Sequence, residues 1–499
     1  MVTDFLNAAL LGVIILVVGV ISEFLASRAI ISHEVSRKLL HISAGVVIAV
    51  TPIMISCPRL LLAIGVLLIG SLYAAVKFNI FPDSIDGHHR KSWGIVYFPI
   101  AFSALTALFG FSYPYILSVT FLIVAFSDSS AAIIGKKFGK QTYTLSGDTK
   151  SILGSVAFFV VTVSVLSLLY LVEPVREFFK VPALFPTINL YFISAVFVIA
   201  LLLTILEAIS GGGADNLTVP IAGSFYLFFL MNTVNDIALN IFMMSALFAA
   251  IVCFISYKIK FLDASGALAA FILATILFGV GTWQWAAPIL VFFVLSSLLG
   301  RYRRTRNTAV DEKFSKSNTR DAKQVFANGG IPTIIMIVAT VTAQEWLYAV
   351  YLVALAAATA DTWGTEIGTL IGGKTVSVVG FKEASVGESG GISFAGTFGG
   401  LVGAAVIAGT GWYWLNEIEL LAIVVIFGVA GSFFDSILGA TIQERFKCAV
   451  CSLETERTVH CNEKTIHVKG IQGFDNDFVN VLSIIAAASI SAVYIYLAM

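Results

Sequence analysis

Apolar residues in this chain run in long stretches, and polar residues collect in the breaks. Apolar stretches of roughly 18 or more residues follow one another from end to end, each long enough to cross a hydrocarbon core as a helix. The pattern predicts an all-α fold, a polytopic membrane helical bundle of about 16 transmembrane helices. The first stretch, 6–25, is preceded by one Asp and no Lys or Arg. It therefore reads as a span and not as a cleavable leader, which needs a basic segment in front. The first basic residue, Arg28, follows it, an order that points the N-terminus outward.

Composition agrees. Mean hydropathy is +0.94, and only 12% of residues are charged, against about 25% in a soluble domain. A large soluble helical protein is excluded. Net charge is +0, so nothing in the overall field calls for a nucleic-acid partner. The distribution of charge says more. Alternate loops near 109–113, 231–236, 279–284 and 344–346 are short and almost uncharged. The other loops, including 28–38, 77–91, 136–150, 301–323 and 445–469, hold roughly 27 of the 30 Lys and Arg residues, and this asymmetry marks a cytoplasmic face. Both termini then lie outside, and the chain is multi-pass in the cytoplasmic membrane if the source is prokaryotic.

Polar motifs recur in order along the chain. The first half has Arg37-Lys38-x-x-His41-x-x-x-Gly45, then His89-Arg90-Lys91-Ser92-x-Gly94. Asp128 follows with Gly135 seven residues on, then Lys150-Ser151-x-x-Gly154-Ser155 and Asp215-Asn216. The second half has Asp263-x-x-Gly266, Arg320-Asp321-Ala322, and Asp361 with Gly368 again seven residues on. Gly390-Gly391-Ile392-Ser393-x-x-Gly396 and Asp435-Ser436 complete it. Corresponding members lie about 220 to 240 residues apart, as expected of a tandem repeat. The reading is two parallel repeats, 1–232 and 233–499, with a small Cys/His hairpin at 443–473.

These motifs sit in, or at the helix ends beside, the basic loops. Acidic residues at membrane depth are costly and usually functional. Asp128, Asp361, Asp435 and Glu207 lie in or at the end of apolar runs, with Glu366 five residues beyond Asp361. Such oxygen ligands suit Mg²⁺ held together with substrate phosphates; a helix–helix polar contact or a proton path is the structural alternative. Gly-rich basic segments stand beside the acids: Gly135-Lys136-Lys137-Phe138-Gly139-Lys140, Gly372-Gly373-Lys374 and Gly211-Gly212-Gly213. Glycine lets backbone approach a phosphate and lysine offsets its charge; turn geometry accounts for the same residues. Arg37, Lys38 and His41 share a helix face that can clamp a phosphate, or can simply anchor the helix at the interface. No G-x-x-x-x-G-K-[ST] sequence is present, which disfavours an ordinary P-loop enzyme.

Cys57 and Cys253 sit in apolar surroundings and read as core. Cys448-x-x-Cys451 with His460-Cys461 lies in the long polar hairpin, where a structural Zn²⁺ would supply the order that a core cannot. Adjacent His460 and Cys461 are awkward ligands for one ion, so His467 is the alternative to His460. A cytoplasmic location argues against a disulfide.

At these motifs the chain resembles known families. From about 37 to 220 it resembles the dolichol kinase and phytol kinase family. The likeness rests on Arg37-Lys38-x-x-His41, Arg90-x-Ser92-x-Gly94 with Tyr97-Phe98-Pro99, and Asp128-x-x-Ala131-x-x-x-Gly135-x-x-Phe138-Gly139. It continues through Lys150-Ser151-x-x-Gly154-Ser155 and through Glu207 with Asp215-Asn216-Leu217-x-Val219-Pro220. From about 263 onward it resembles the family that contains phytyl-phosphate kinase. The strings there are Asp263-x-x-Gly266, Arg320-Asp321-Ala322-x-Gln324-Val325-x-Ala327-Asn328-Gly329-Gly330 and Ala360-Asp361-Thr362-Trp363-x-x-Glu366-Ile367-Gly368. Gly390-Gly391-x-Ser393-x-x-Gly396, Asp435-Ser436-x-Leu438-Gly439-Ala440 and Asn476-Asp477-x-Val479-Asn480 complete it.

The resemblance implies CTP-dependent phosphorylation of an isoprenoid alcohol in the first half and of its monophosphate in the second. Asp128, Asp361, Asp215 and Asp435 would be catalytic, with Mg²⁺ on Asp128, Asp361 and Asp435. Arg37, Lys38, His41, Arg90, Lys137, Gly139, Lys150, Ser151 and Asn216 would serve the nucleotide in the first half. Asp263, Arg320, Asp321, Asn328, Glu366, Ser393, Asn476 and Asp477 would do so in the second. Which Asp is a base and which binds metal stays open. The alternative from another class is a transporter or flippase for a lipid or anion.

Overall fold

The computed structural model describes residues 2–78, 93–182, 190–232, 236–306 and 319–498. Among them, 13 helices are long and apolar enough to cross a membrane, and two shorter apolar helices accompany them. The chain divides into two compact units, 1–243 and 244–499.

The first unit contains α1 (Val2–Ser27), α2 (His33–Met54), α3 (Pro58–Lys77) and α4 (Gly94–Phe109). After them come the long α5 (Pro114–Phe138), α6 (Ile152–Leu171), the short α7 (Glu173–Phe178), α8 (Leu190–Ile209) and α9 (Asp215–Asn232). Helix α5 is the centre. Ile116 to Ala125 are buried without a break, and α2, α4, α6 and α9 pack around it. Gly45 on α2 lets that helix come in close: a Cβ there would lie 2.6 Å from Ala125 Cβ. Residues 124–128 of α5 form a π-helical turn, a local widening often found at functional sites. The turn ends on Asp128. A two-stranded hairpin, β1 (Thr142–Thr144) with β2 (Thr149–Ser151), leads into α6.

α10 (Asp236–Lys258) runs across the division between the units, and α11 (Ala264–Gly279), α12 (Thr282–Arg306) and α13 (Ala322–Thr342) follow it in the second. The central helix here is α14 (Leu347–Ile371), buried continuously from Tyr348 to Ala360. Hairpin β3 (Thr375–Ser377) with β4 (Gly391–Ser393) leads into α15 (Phe394–Leu415). α16 (Ile418–Thr441) and α17 (Asn476–Ala498) complete the helices. Small residues permit tight contact, the usual device between helices in lipid. Gly400 of α15 lies against Ala360, and Gly428 and Gly431 of α16 lie against Ala356 and Ala357. Between α16 and α17 stands the polar hairpin: strands β5 (Arg445–Lys447), β6 (Glu454–Thr455) and β9 (Ile466–Lys469) in the order β6-β5-β9, with β7 (Val459–His460) and β8 (Glu463–Lys464) as a separate pair.

The units share a local plan from their central helices onward. Each central helix is followed by a small hairpin whose last serine caps the next helix: Ser151 accepts from Gly154 N–H, and Ser393 from Gly396 N–H, each at 3.1 Å. Gly135 faces Ser151 and Gly154, as Gly368 faces Ser393 and Gly396. The glycine seven residues past each acid therefore serves close helix packing. In chain order, α8 with Glu207 then matches α16 with Asp435, and α9 with Asp215-Asn216 matches α17 with Asn476-Asp477. The sequence reading paired Asp215-Asn216 with Asp435-Ser436 instead. The polar hairpin between α16 and α17 displaces the spacing and accounts for the difference.

Candidate functional site

Each unit gathers its polar residues at the end of the buried run of its central helix. In the first unit, Lys38 Nζ lies 2.6 Å from Asp128 Oδ2, and His41 Nε2 lies 3.4 Å from the same oxygen. The Gly45 contact brings these two side chains in, and the His41 ring rests on Phe98 with centroids 5.0 Å apart. Opposite them, Lys150 Nζ donates to Glu207 Oε1 at 2.6 Å and also to the Glu207 backbone carbonyl. Burial works against the Lys150 charge, but Glu207 and Asp215 outweigh it and hold the ammonium above the usual lysine range. Asp215 faces the charges of Asp128, Lys150 and Glu207. Buried Glu207 Oε2 has no hydrogen-bond partner among the described residues.

Other expected residues of this unit lie elsewhere. Arg37 is exposed and pairs with Glu34 at 3.2 Å. Lys137 is exposed and lies over the Phe138 ring. Gly139 ends its helix, where an added Cβ would strike Ser151. Ser151 is a helix cap. Asn216 Nδ2 donates to the Gly94 carbonyl at 3.1 Å, tying α9 to α4. Arg90 lies outside the described residues, as do His89, Lys91 and Ser92.

The second unit holds a cavity of about 640 Å³ lined by Arg301, Arg303, Arg304 and Arg320 and by Asp361, Asp435 and Glu456. The Asp361 and Asp435 carboxyls are in hydrogen-bond contact. Ser483 Oγ donates to Asp435 Oδ2 at 3.1 Å, and the Asn480 amide, oriented to donate, lies 3.0 Å from that oxygen. Arg303 Nε donates to Glu366 Oε2 at 2.8 Å, and Glu366 sits over Gly300, where a Cβ would approach within 3.1 Å. Arg320 lies over the Phe292 ring at 5.6 Å. Burial pushes its guanidinium down to about 10, with Glu366 opposing and Arg304 adding to the shift. No carboxylate bonds it among the described residues.

Asn328, Ser393 and Asn476 also line this cavity. Asp263, Asp321 and Asp477 do not. Asp263 caps α11, accepting from Gly266 N–H at 2.8 Å and from Ser265 Oγ. Asp321 forms a capping box with Gln324 at the start of α13. Asp477 is buried in the first turn of α17. Arg303, Arg304, Gln443 and Glu456 were not singled out from sequence. Nothing local marks Glu456, which reaches the cavity only through the fold of the hairpin. Arg303 and Arg304 belong to a basic cluster that orientation alone explains.

A second cavity, apolar and narrow at about 90 Å³, runs between α10, α11, α12 and α13. Its walls include Phe248, Leu273, Leu277 and Phe293. Arg320, Gln324 and Asn328 line both cavities.

Cys448, Cys451, His460 and Cys461 come together in the hairpin, with their ligand atoms within 4.8 Å of one another. His467 stands apart on β9, its ring against Phe446.

Residues 247–488 match the family described as "Integral membrane protein DUF92". The chain is similar to Protein PGR of Arabidopsis thaliana, 28% identical over 282 residues, which cover 50% of this chain and 96% of that protein. It is 30% identical to the uncharacterized membrane protein MJ0933 of Methanocaldococcus jannaschii over 198 residues, 39% of this chain and 82% of the relative. It is 28% identical to Phytol kinase of Synechocystis sp. over 225 residues, 44% of this chain and 87% of that kinase. No solved structure matches it.

Proposed function

The chain belongs to the DUF92 integral membrane family, and we propose that it is a membrane kinase of isoprenoid alcohols. In this reading the first unit converts the alcohol to its monophosphate, the second converts the monophosphate to the diphosphate, and CTP is the donor. The likeness to a phytol kinase supports the reaction class. The observation that carries the reading is the junction in the second unit. A charged cavity large enough for a nucleotide meets an apolar crevice at Arg320, Gln324 and Asn328. That is the shape of a site for an amphiphile: an isoprenoid tail in the crevice, its phosphate at Arg320, and the nucleotide among Arg301, Arg303 and Arg304.

Phosphoryl transfer asks mainly for positioning and charge neutralisation. The donor's terminal phosphoryl group passes to an oxygen of the acceptor as its bond to the nucleoside diphosphate breaks. An alcohol acceptor also loses a proton, and a monophosphate acceptor has none to lose at its nucleophilic oxygen. The first unit accordingly needs a base. Asp128, between Lys38 and His41, and Asp215 are its nearest candidates. The donor groups fit Mg²⁺: in the second unit the touching carboxyls of Asp361 and Asp435 have Glu456 nearby, and in the first Glu207 has an oxygen unpartnered among the described residues. Such an ion, if bound there, would neutralise charge on the donor's phosphates. Lys38, Lys150 and the arginines hold the anionic ends, and the buried helix walls keep water from the reacting phosphoryl. The relatives matched give the transporter alternative no support.

The test is turnover by the purified full-length protein with phytol, farnesol, geranylgeraniol or a polyprenol, and their monophosphates, with each nucleoside triphosphate. Phosphorylated lipid from CTP is expected. No phosphorylated lipid with any pairing would overturn the reading.

A further inference from the structure

We propose that Cys448, Cys451, His460 and Cys461 form a structural zinc site that locks the hairpin as one wall of the second unit's cavity. Two hairpin tips supply two ligands each. Cys448 and Cys451 flank the β5–β6 turn, and His460 and Cys461 sit at the β7–β8 turn. Zn–S and Zn–N bond lengths place tetrahedral ligand atoms about 3.6 to 3.8 Å apart. Here His460 Nδ1 lies 3.5 Å from Cys451 Sγ and 3.2 Å from Cys461 Sγ. The backbone explains how adjacent residues serve one ion. Cys461 and Asn462 both have left-handed φ, +52° and +62°, between paired His460 and Glu463, the geometry of a tight two-residue hairpin turn. Cys is an unusual choice for such a conformation, and here it brings the Cys461 thiol back beside the His460 ring. The Val450 N–H also points at Cys448 Sγ, at 3.4 Å, an arrangement that suits a thiolate ligand.

Apolar burial holds little of the hairpin: among the described residues of 443–473, Cys448 is the one buried apolar side chain. Strand β9 is exposed along its length, and segments this small do not bury a core of their own. Yet its base is bound to the cavity wall. Glu456 accepts from Ser389 Oγ at 2.9 Å and from Gln443 Nε2 at 2.7 Å. Arg445 Nη1 donates to Glu388 Oε1 at 3.1 Å, and Nη2 donates to the Ser389 carbonyl. Glu388, Ser389, Gln443 and Glu456 all line the cavity. The ion thus fixes the loop that presents Glu456 beside Asp361 and Asp435. This inference stands whether or not the chain is a kinase.

The test is metal analysis of the full-length protein purified without chelator, followed by cobalt exchange. One zinc per chain is expected, with thiolate-to-cobalt charge-transfer absorption after exchange. Cys461→Ser should lose the metal and open residues 445–469 to trypsin while helical content stays unchanged, and Cys253→Ser should change neither. Substoichiometric zinc with no cobalt band in the wild-type protein would overturn the proposal. So would a disulfide between any two of Cys448, Cys451 and Cys461 in protein purified under reducing conditions.

Discussion

Arg320 is half-buried against Phe292 and stands where the charged cavity and the apolar crevice meet. A charge-assisted hydrogen bond to a phosphate contributes roughly 1.5–3 kcal/mol. Arg320→Ala should therefore raise the KM for the lipid monophosphate on the order of 10- to 100-fold, and leave the KM for the alcohol at the first unit unchanged. Steady-state kinetics with each acceptor separates the two. A neighbouring residue should behave differently. Asp321 spends its carboxylate on a capping box, so Asp321→Ala should cost about 0.5–2 kcal/mol of stability with little change in KM. Thermal unfolding in detergent beside the same kinetics checks it. If Asp321→Ala instead abolishes nucleotide binding without loss of stability, its carboxylate serves the ligand after all.

The helices depend on close approach as much as on apolar length. On α16, a Cβ at Gly428 would lie 2.6 Å from Ala356 Cβ, whereas at Gly409 on α15 nothing lies within 4 Å. Gly428→Ala should destabilise by about 1–3 kcal/mol, and Gly409→Ala should be neutral or mildly stabilising; the midpoints of thermal unfolding report the contrast. At this scale the sequence was legible where the signal is local. Apolar runs gave the spans, and Asp128, Asp361, Asp435, Glu207 and Glu366 stand out because charge at membrane depth is costly; Arg320 stands out only through the Arg320-Asp321-Ala322 string. What it hid was of two kinds. Asp263 and Asp321 carry the spacing of helix caps, Asp-x-x-Gly and Asp-x-x-Gln, and conformity to a motif does not say which job the carboxylate does. Glu456, Arg303 and the Lys150–Glu207 pair depend on contacts between positions far apart in the chain, as does the π turn that ends on Asp128, and no local pattern announces them.

Sidedness is the property of the molecule on which the single-face reading depends. The hairpins that follow the two central helices carry Lys140 near one and Lys382 in the other, both exposed, and on the proposed orientation, argued from the Lys and Arg asymmetry, both would face the cytoplasm. Lys140→Cys and Lys382→Cys should resist an impermeant thiol reagent in sealed cells and react once the membrane is opened. Reaction in sealed cells would put the motifs on the outer face, out of reach of cellular nucleotide. Position 313, assigned to the same side by its charge, lies outside the described residues.

Under the proposed reading, two units with similar local plans, each with its own acids and its own cations, would carry out two separable steps. Asn in place of a central Asp keeps the size and removes the charge, and losing one transition-state charge contact costs on the order of 10²- to 10³-fold in rate. The direct measurement is mass-spectrometric analysis of lipid products when Asp361→Asn protein, shown to be folded, is supplied with isoprenoid alcohol, CTP and Mg²⁺. The account predicts that the monophosphate accumulates and the diphosphate is lost, with Asp128→Asn giving the reverse: no product from the alcohol, but diphosphate from supplied monophosphate. Loss of both steps in either variant, each step assayed with its own supplied acceptor, would contradict it, and would point to one composite site in place of two.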